Sequence, residues 1–146
     1  MIGNRASAVS DNTCVIGGDI AEINDFYVGN GETDASPADL IFHATGGSGT
    51  DKTGADITIA SGRGTGTGSG GEILFQMSDA NSVAGVQLNP LDTKMKINTD
   101  GFLVLPNTHT PAGSWEHGET GQIAWDANYI YVWTDPNTPK RAAISW

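Results

Sequence analysis

Ten glycines fall between residues 46 and 71, at positions 46, 47, 49, 54, 62, 64, 66, 68, 70 and 71. Glycine loses more backbone freedom on folding than any other residue and is among the poorest helix formers. A segment this dense in glycine, with Ser and Thr between, is read as short strands and turns. Asp56-Ile57-Thr58-Ile59-Ala60 lies inside it, and its apolar residues alternate with Thr58 as in a half-buried strand.

The pattern continues on both sides. Leu40-Ile41-Phe42-His43-Ala44 predicts a strand, and Glu72 to Met77 predicts another with Ile73, Phe75 and Met77 on one side. Lys94-Met95-Lys96-Ile97 alternates again and ends at the turn signature Asn98-Thr99-Asp100-Gly101, after which Phe102 to Leu105 is one more strand. Residues 106–112 carry prolines at both ends of Pro106 to Pro111 and no apolar side chain within, which predicts a linker.

Beyond it the character changes. All four tryptophans (115, 125, 133 and 146) and two of three tyrosines lie there. Gln122 to Trp125, then Asp126-Ala127-Asn128, then Tyr129 to Trp133 reads as a hairpin with a three-residue loop. Lys140 to Trp146 predicts a last strand. The expected organisation is an N-terminal arm over 1–36, a glycine-rich β body over 37–105, a linker over 106–112 and a Trp-rich β module over 113–146. Asp19 to Phe26 reads equally as two helical turns or as short strands; helix is otherwise minor, and the class is all-β.

Seven Lys and Arg stand against 17 Asp and Glu, a formal net charge of -10. Nucleic-acid binding needs clustered cations for phosphate, and anionic membrane surfaces attract polybasic segments, so neither partner is expected. No apolar run approaches the roughly 18 residues of a membrane span. The start, Met1-Ile-Gly-Asn-Arg, lacks the basic and apolar regions of a signal peptide, which predicts synthesis in a cytoplasm without Sec export. Cys14 is the single cysteine, so an intrachain disulfide and a cysteine zinc site are excluded. Its expected role is that of a small buried hydrophobe.

A sequence motif carries chemistry only in the structural context its mechanism needs. Gly66 to Gly71 matches the dinucleotide pattern G-x-G-x-x-G, but it opens a predicted strand where that pattern needs a helix. No cofactor is expected. Gly46 to Asp51 fits the start of a calcium-binding nonapeptide, but only one copy is present and a turn is the better reading. His109, His117, Glu116 and Glu119 cluster near the linker; solvated loop residues are expected, although one histidine per chain on a three-fold axis also makes a metal site. No two of the 17 carboxylates are singled out as a glycosidase pair, and no nucleophile elbow or H-E-x-x-H is present.

The apolar residues are spread over about eight short strands, each with two or three inward side chains. Folding must offset roughly 1–2 kcal/mol of backbone entropy per residue, and burial returns about 25 cal/mol per Å2. So thin a core, without disulfides, predicts an obligate homo-oligomer that buries one apolar stripe from every copy. Ile57, Ile59, Ile73, Phe75, Met77 and Ile97 are the predicted shared core.

The run from Gly54 to Gln76, followed by Met95-Lys96-Ile97 and the Asp100-Gly101 turn, resembles a segment of tail-fibre and other exterior virion proteins of tailed bacteriophages. Gly121 to Val132, with Lys140-Arg141 and Trp146, is similar to a small terminal module of the same kind of protein. The resemblance covers roughly residues 37–105 and 119–146. It implies a non-catalytic, intertwined homotrimer in the virion, decorating the capsid or forming a short fibre, with a small C-terminal β knob. Its partners would be itself and other virion proteins of capsid or tail, reached through residues 1–36 or the C-terminal module. Two further readings come from the residues: an adhesin whose Trp115, Tyr129 and Trp133 stack on host surface glycans, and a glycan-cleaving enzyme.

Overall fold

The computed structural model describes residues 14, 16, 24–28 and 33–145. The chain divides into two compact units, Met1–Ile57 and Thr58–Trp146. The boundary falls inside the segment read as one glycine-rich body. The arm expected over 1–36 lies mostly outside the described residues. Cys14, expected to be buried, is exposed.

Among the described residues there is no helix, and all six strands lie in the second unit. They form two antiparallel three-stranded sheets. The first holds β1 (Ile73–Ser78), β2 (Leu91–Ile97) and β3 (Leu103–Val104), in that order. The second holds β4 (Ile123–Trp125), β5 (Tyr129–Trp133) and β6 (Pro139–Ala143).

Neither segment 40–44 nor segment 56–60 forms a strand, contrary to the sequence expectation. Alternation states only that a segment suits a pleated surface; a ladder also needs a neighbour. Among the described residues the sole backbone–backbone bond within 37–60 is Ala55 N–H to Thr45 O, at 3.0 Å. Leu40, Ile41, Phe42, Ile57 and Ile59 are all more than half exposed. The later glycines fold back on themselves: Gly71 N–H donates to Gly62 O at 2.8 Å, and Ser61 Oγ donates to Gly71 O at 2.9 Å. That loop delivers the chain into β1, a strand.

In the first sheet Ile73 faces Ile97 and Phe75 faces Met95 across the β1–β2 ladder, and Leu103 of β3 faces Ile97 from the other side. The register shifts between Phe75 and Gln76, where the partners jump from Met95 to Thr93. Lys94 is the extra residue of this β-bulge. Its ammonium bridges Asp79 at 2.6 Å and Asp92 at 3.1 Å. The β2–β3 connection is the predicted turn. Asn98 Oδ1 accepts the N–H groups of Asp100 and Phe102, and Gly101 sits at φ +84°, where a Cβ is strained.

The core lies in the second sheet. Trp133 is fully buried, with Tyr131 at 5% and Ala124 at 7% exposure, and Tyr129 packs against them. The hairpin has the predicted three-residue loop, with β4 and β5 on either side of Asp126-Ala127-Asn128.

Candidate functional site

Strand periodicity sorts the second sheet into two faces. Ala124, Tyr129, Tyr131, Trp133 and Arg141 share one, and their cross-strand pairs are Ala124 with Tyr131 and Tyr131 with Arg141. The segment that precedes β4 folds over this face. Trp133 Nε1–H donates to Glu116 O at 2.9 Å, and Gly118 N–H donates to Pro136 O at 2.9 Å. Gly118 lets the chain pass the indole, since a Cβ there would lie 2.5 Å from Trp133 Nε1.

Two carboxylates tie this segment down. Asp126 opens the hairpin loop, where Oδ1 accepts the N–H groups of Asn128 at 2.7 Å and Tyr129 at 2.9 Å. Its Oδ2 accepts the Tyr131 hydroxyl at 2.7 Å and the Thr110 hydroxyl at 2.8 Å. These donors, the Tyr131 hydroxyl foremost, hold its pKa down at about 2, against an ordinary 3.8. The same bond pushes the Tyr131 phenol up. Glu116 accepts the Ala112 N–H on one oxygen and the His109 imidazole on the other, both at 2.5 Å. The Ala112 amide, then His109, lowers the Glu116 pKa. Both carboxylates therefore spend their acceptors on the fold.

The segment read as a linker is held against the second sheet. Trp125 Nε1–H donates to Leu105 O at 2.8 Å, and His109 N–H donates to Trp125 O at 2.9 Å.

The opposite face of the second sheet carries Ile123, Trp125, Ile130 and Val132, and nothing among the described residues seals it. Ile123 is 59%, Ile130 45%, Val132 38% and Ile144 46% exposed. Together with Leu103, Val104 and Leu105 these residues, Val132 excepted, line an apolar groove of about 370 Å3. The sequence pointed to this face indirectly: Tyr129 to Trp133 is apolar at every position, so both faces of β5 are apolar.

The predicted shared core divides. Ile73, Phe75, Met77 and Ile97 share one face of the first sheet, joined by Met95 and Leu103, and the acidic Asp92 stands opposite Met77 at its end. Phe75 is 41%, Met77 59% and Leu103 60% exposed, while Ile73 and Ile97 are half-buried. Ile57 and Ile59 stand outside the strands, 57% and 68% exposed.

The predicted glycan-stacking trio also divides. Trp133 offers no face to a ligand, because it is the one fully buried large side chain among the described residues; this corrects the sequence reading. Tyr129 carries the Arg141 guanidinium 4.4 Å over its ring, a cation–π contact. Trp115 remains open, at 70% exposure. His109 is paired with Glu116, and among the described residues no three His, Cys, Asp or Glu side chains converge as metal ligands. Comparison with protein-family models, with curated proteins and with solved structures found no match to this chain.

Proposed function

We propose that this chain is a non-catalytic structural subunit of the exterior of a tailed-phage virion. Three copies intertwine as a homotrimer that decorates the capsid or forms a short fibre. The single observation that carries the assembly is the apolar face of the first sheet, where Phe75, Met77 and Leu103 lie open to solvent beside Ile73, Met95 and Ile97. Large apolar side chains exposed side by side on one sheet face suit a protein–protein contact. The strand-like segments 40–44 and 56–60, which have no ladder among the described residues, support the same reading: partner copies would supply the neighbours. The virion assignment rests on the phage-like residues 37–105 and 119–146.

In this reading the other copies, and capsid or tail proteins, are the partners. Residues 1–36 or the C-terminal module seat the trimer on the particle. Solution mass by light scattering tests the assembly, with a species near about 46 kDa expected, three times 15.2 kDa. Immuno-electron microscopy of phage particles with antibody to this chain tests the location. A folded 15.2 kDa monomer, or particles without label, overturns the respective half.

The 70% exposure of Trp115 favours one second reading, a tail-fibre adhesin for host surface glycans. Glycan-array binding lost in Trp115→Ala would establish it.

A further inference from the structure

We propose that the cavity between Arg141 and segment 110–114 takes one acidic sugar, a pyranose that carries a carboxylate. This rests on the glycan-adhesin reading of Trp115 and does not depend on how many copies assemble. The cavity measures about 310 Å3, at the small end of ligand pockets, which run to roughly 300–1,000 Å3. Pro111, Pro139 and the Tyr131 ring give it apolar wall, while Thr110, Ser114 and Arg141 bring polar groups to the same space. Apolar walls with a few placed polar groups are what a small polar ligand needs.

Arg141 selects the charge of that ligand. It is the single charged side chain of the lining, in a chain whose net charge is -10. Among the described residues no carboxylate forms an ion pair with it. Its guanidinium carbon sits 4.4 Å over the Tyr129 ring. A guanidinium held in this way keeps its rigid fork of N–H donors, which matches the two oxygens of a carboxylate. Asp126 raises the Tyr131 pKa and Arg141 opposes it, so the cation acts at the cavity wall. Asp126 itself is occupied by the Tyr131 and Thr110 hydroxyls and the Asn128 and Tyr129 amides.

The remaining groups suit a sugar ring. The Thr110 hydroxyl gives its proton to Asp126, so its oxygen is left to accept from a ligand. The Ser114 hydroxyl has no hydrogen-bond partner among the described residues and can donate or accept. Trp115 stands beside this lining: a Cβ on Gly113, which lines the cavity, would lie 2.5 Å from Trp115 Nε1. The indole is 70% exposed and offers its amphipathic face to the C–H side of a pyranose.

The test titrates the full chain with galacturonate and glucuronate, with galactose and glucose, and with acetate, followed by saturation-transfer NMR. Each acid shares its ring with one neutral sugar and differs at C6; acetate has the carboxylate without the ring. The expected result is a dissociation constant for at least one acid tenfold or more below that of its neutral counterpart, and no saturable binding of acetate. Arg141→Gln, with its fold checked by circular dichroism, is expected to weaken that acid at least tenfold and leave the neutral sugar unchanged. Trp115→Ala is expected to weaken both. The wild-type comparison decides without any variant: acid and neutral sugar bound equally, or neither acid bound, overturns the acidic-sugar site. Acetate bound as tightly as the acids, or a folded Arg141→Gln that binds them as before, overturns it too. Binding on a glycan array that Trp115→Ala abolishes would in those cases leave the adhesin reading standing, whereas a blank array together with no binding in solution overturns both.

Discussion

The Tyr131 hydroxyl lies 2.7 Å from Asp126 Oδ2, and the same oxygen takes the Thr110 hydroxyl at 2.8 Å. One carboxylate thereby joins the hairpin loop, the core strand β5 and the segment before β4. Its low pKa makes this junction a source of acid sensitivity.

The sign follows from the depressed value. Folding favours the ionised carboxylate, so its contribution is fully present above the ordinary pKa of 3.8. It is lost as the pH falls from there through about 2. Asp126→Asn keeps an acceptor for the loop amides but cannot accept both hydroxyls on a second oxygen. The expected outcome is a lower Tm at pH 7 and a shallower fall of Tm between pH 4 and pH 2, read by thermal denaturation across that range. Glu116, Asp92 and Asp135 are also lowered, so some slope remains.

Trp133 is fully buried, and its indole N–H satisfies Glu116 O. Trp133→Ala opens a cavity and strands that carbonyl, and its expected cost is about 3–5 kcal/mol. Urea denaturation, followed by circular dichroism, measures it. Trp115→Ala removes a side chain that is 70% exposed and is expected to stay within about 0.5 kcal/mol of wild type.

Gly101 holds φ +84° in the β2–β3 turn. Gly101→Ala puts a Cβ into the left-handed region and is expected to cost about 1–2 kcal/mol. Gly85→Ala is the control, since a Cβ there meets nothing within 4 Å. Paired urea melts of the two variants separate backbone strain from the general effect of losing a glycine.

Phe75→Asp places a charge at the centre of the open face, opposite Met95. On the proposed assembly it abolishes the trimer, and light scattering returns the mass of one chain. Phe75 is 41% exposed in the single chain, and circular dichroism reads whether the sheet outlasts the trimer.

Deleting residues 1–36 tests the attachment role. The expected product is a soluble trimer that no longer co-sediments with phage particles. A truncated chain that still binds them would move attachment to the C-terminal module.

Much of the fold was legible in the residues alone, for reasons that are local. Alternation at Ile73, Phe75 and Met77 marked β1, and the Asp100-Gly101 pair marked the turn that Gly101 closes with positive φ. Asp126-Ala127-Asn128 marked the hairpin loop, because a short acidic side chain there caps its own backbone. Period and turn chemistry depend on neighbours in the chain, so these features follow from sequence.

Other features depend on which distant segment arrives. Trp115, Trp125 and Trp133 are chemically alike, yet one is open, one half-buried and one sealed. Every residue from Tyr129 to Trp133 is apolar, so periodicity gave β5 two equivalent faces; the segment from His109 to Gly118, held by Asp126 and Glu116, decided which became core. The Lys94 bulge needed the register against β1. Segments 40–44 and 56–60 have strand composition without a ladder, because pairing is a property of two segments and composition a property of one. The sequence by itself determined where this chain turns and which residues suit a pleated surface. The tertiary structure alone decided which apolar faces were covered, since burial requires a partner surface that no local pattern specifies.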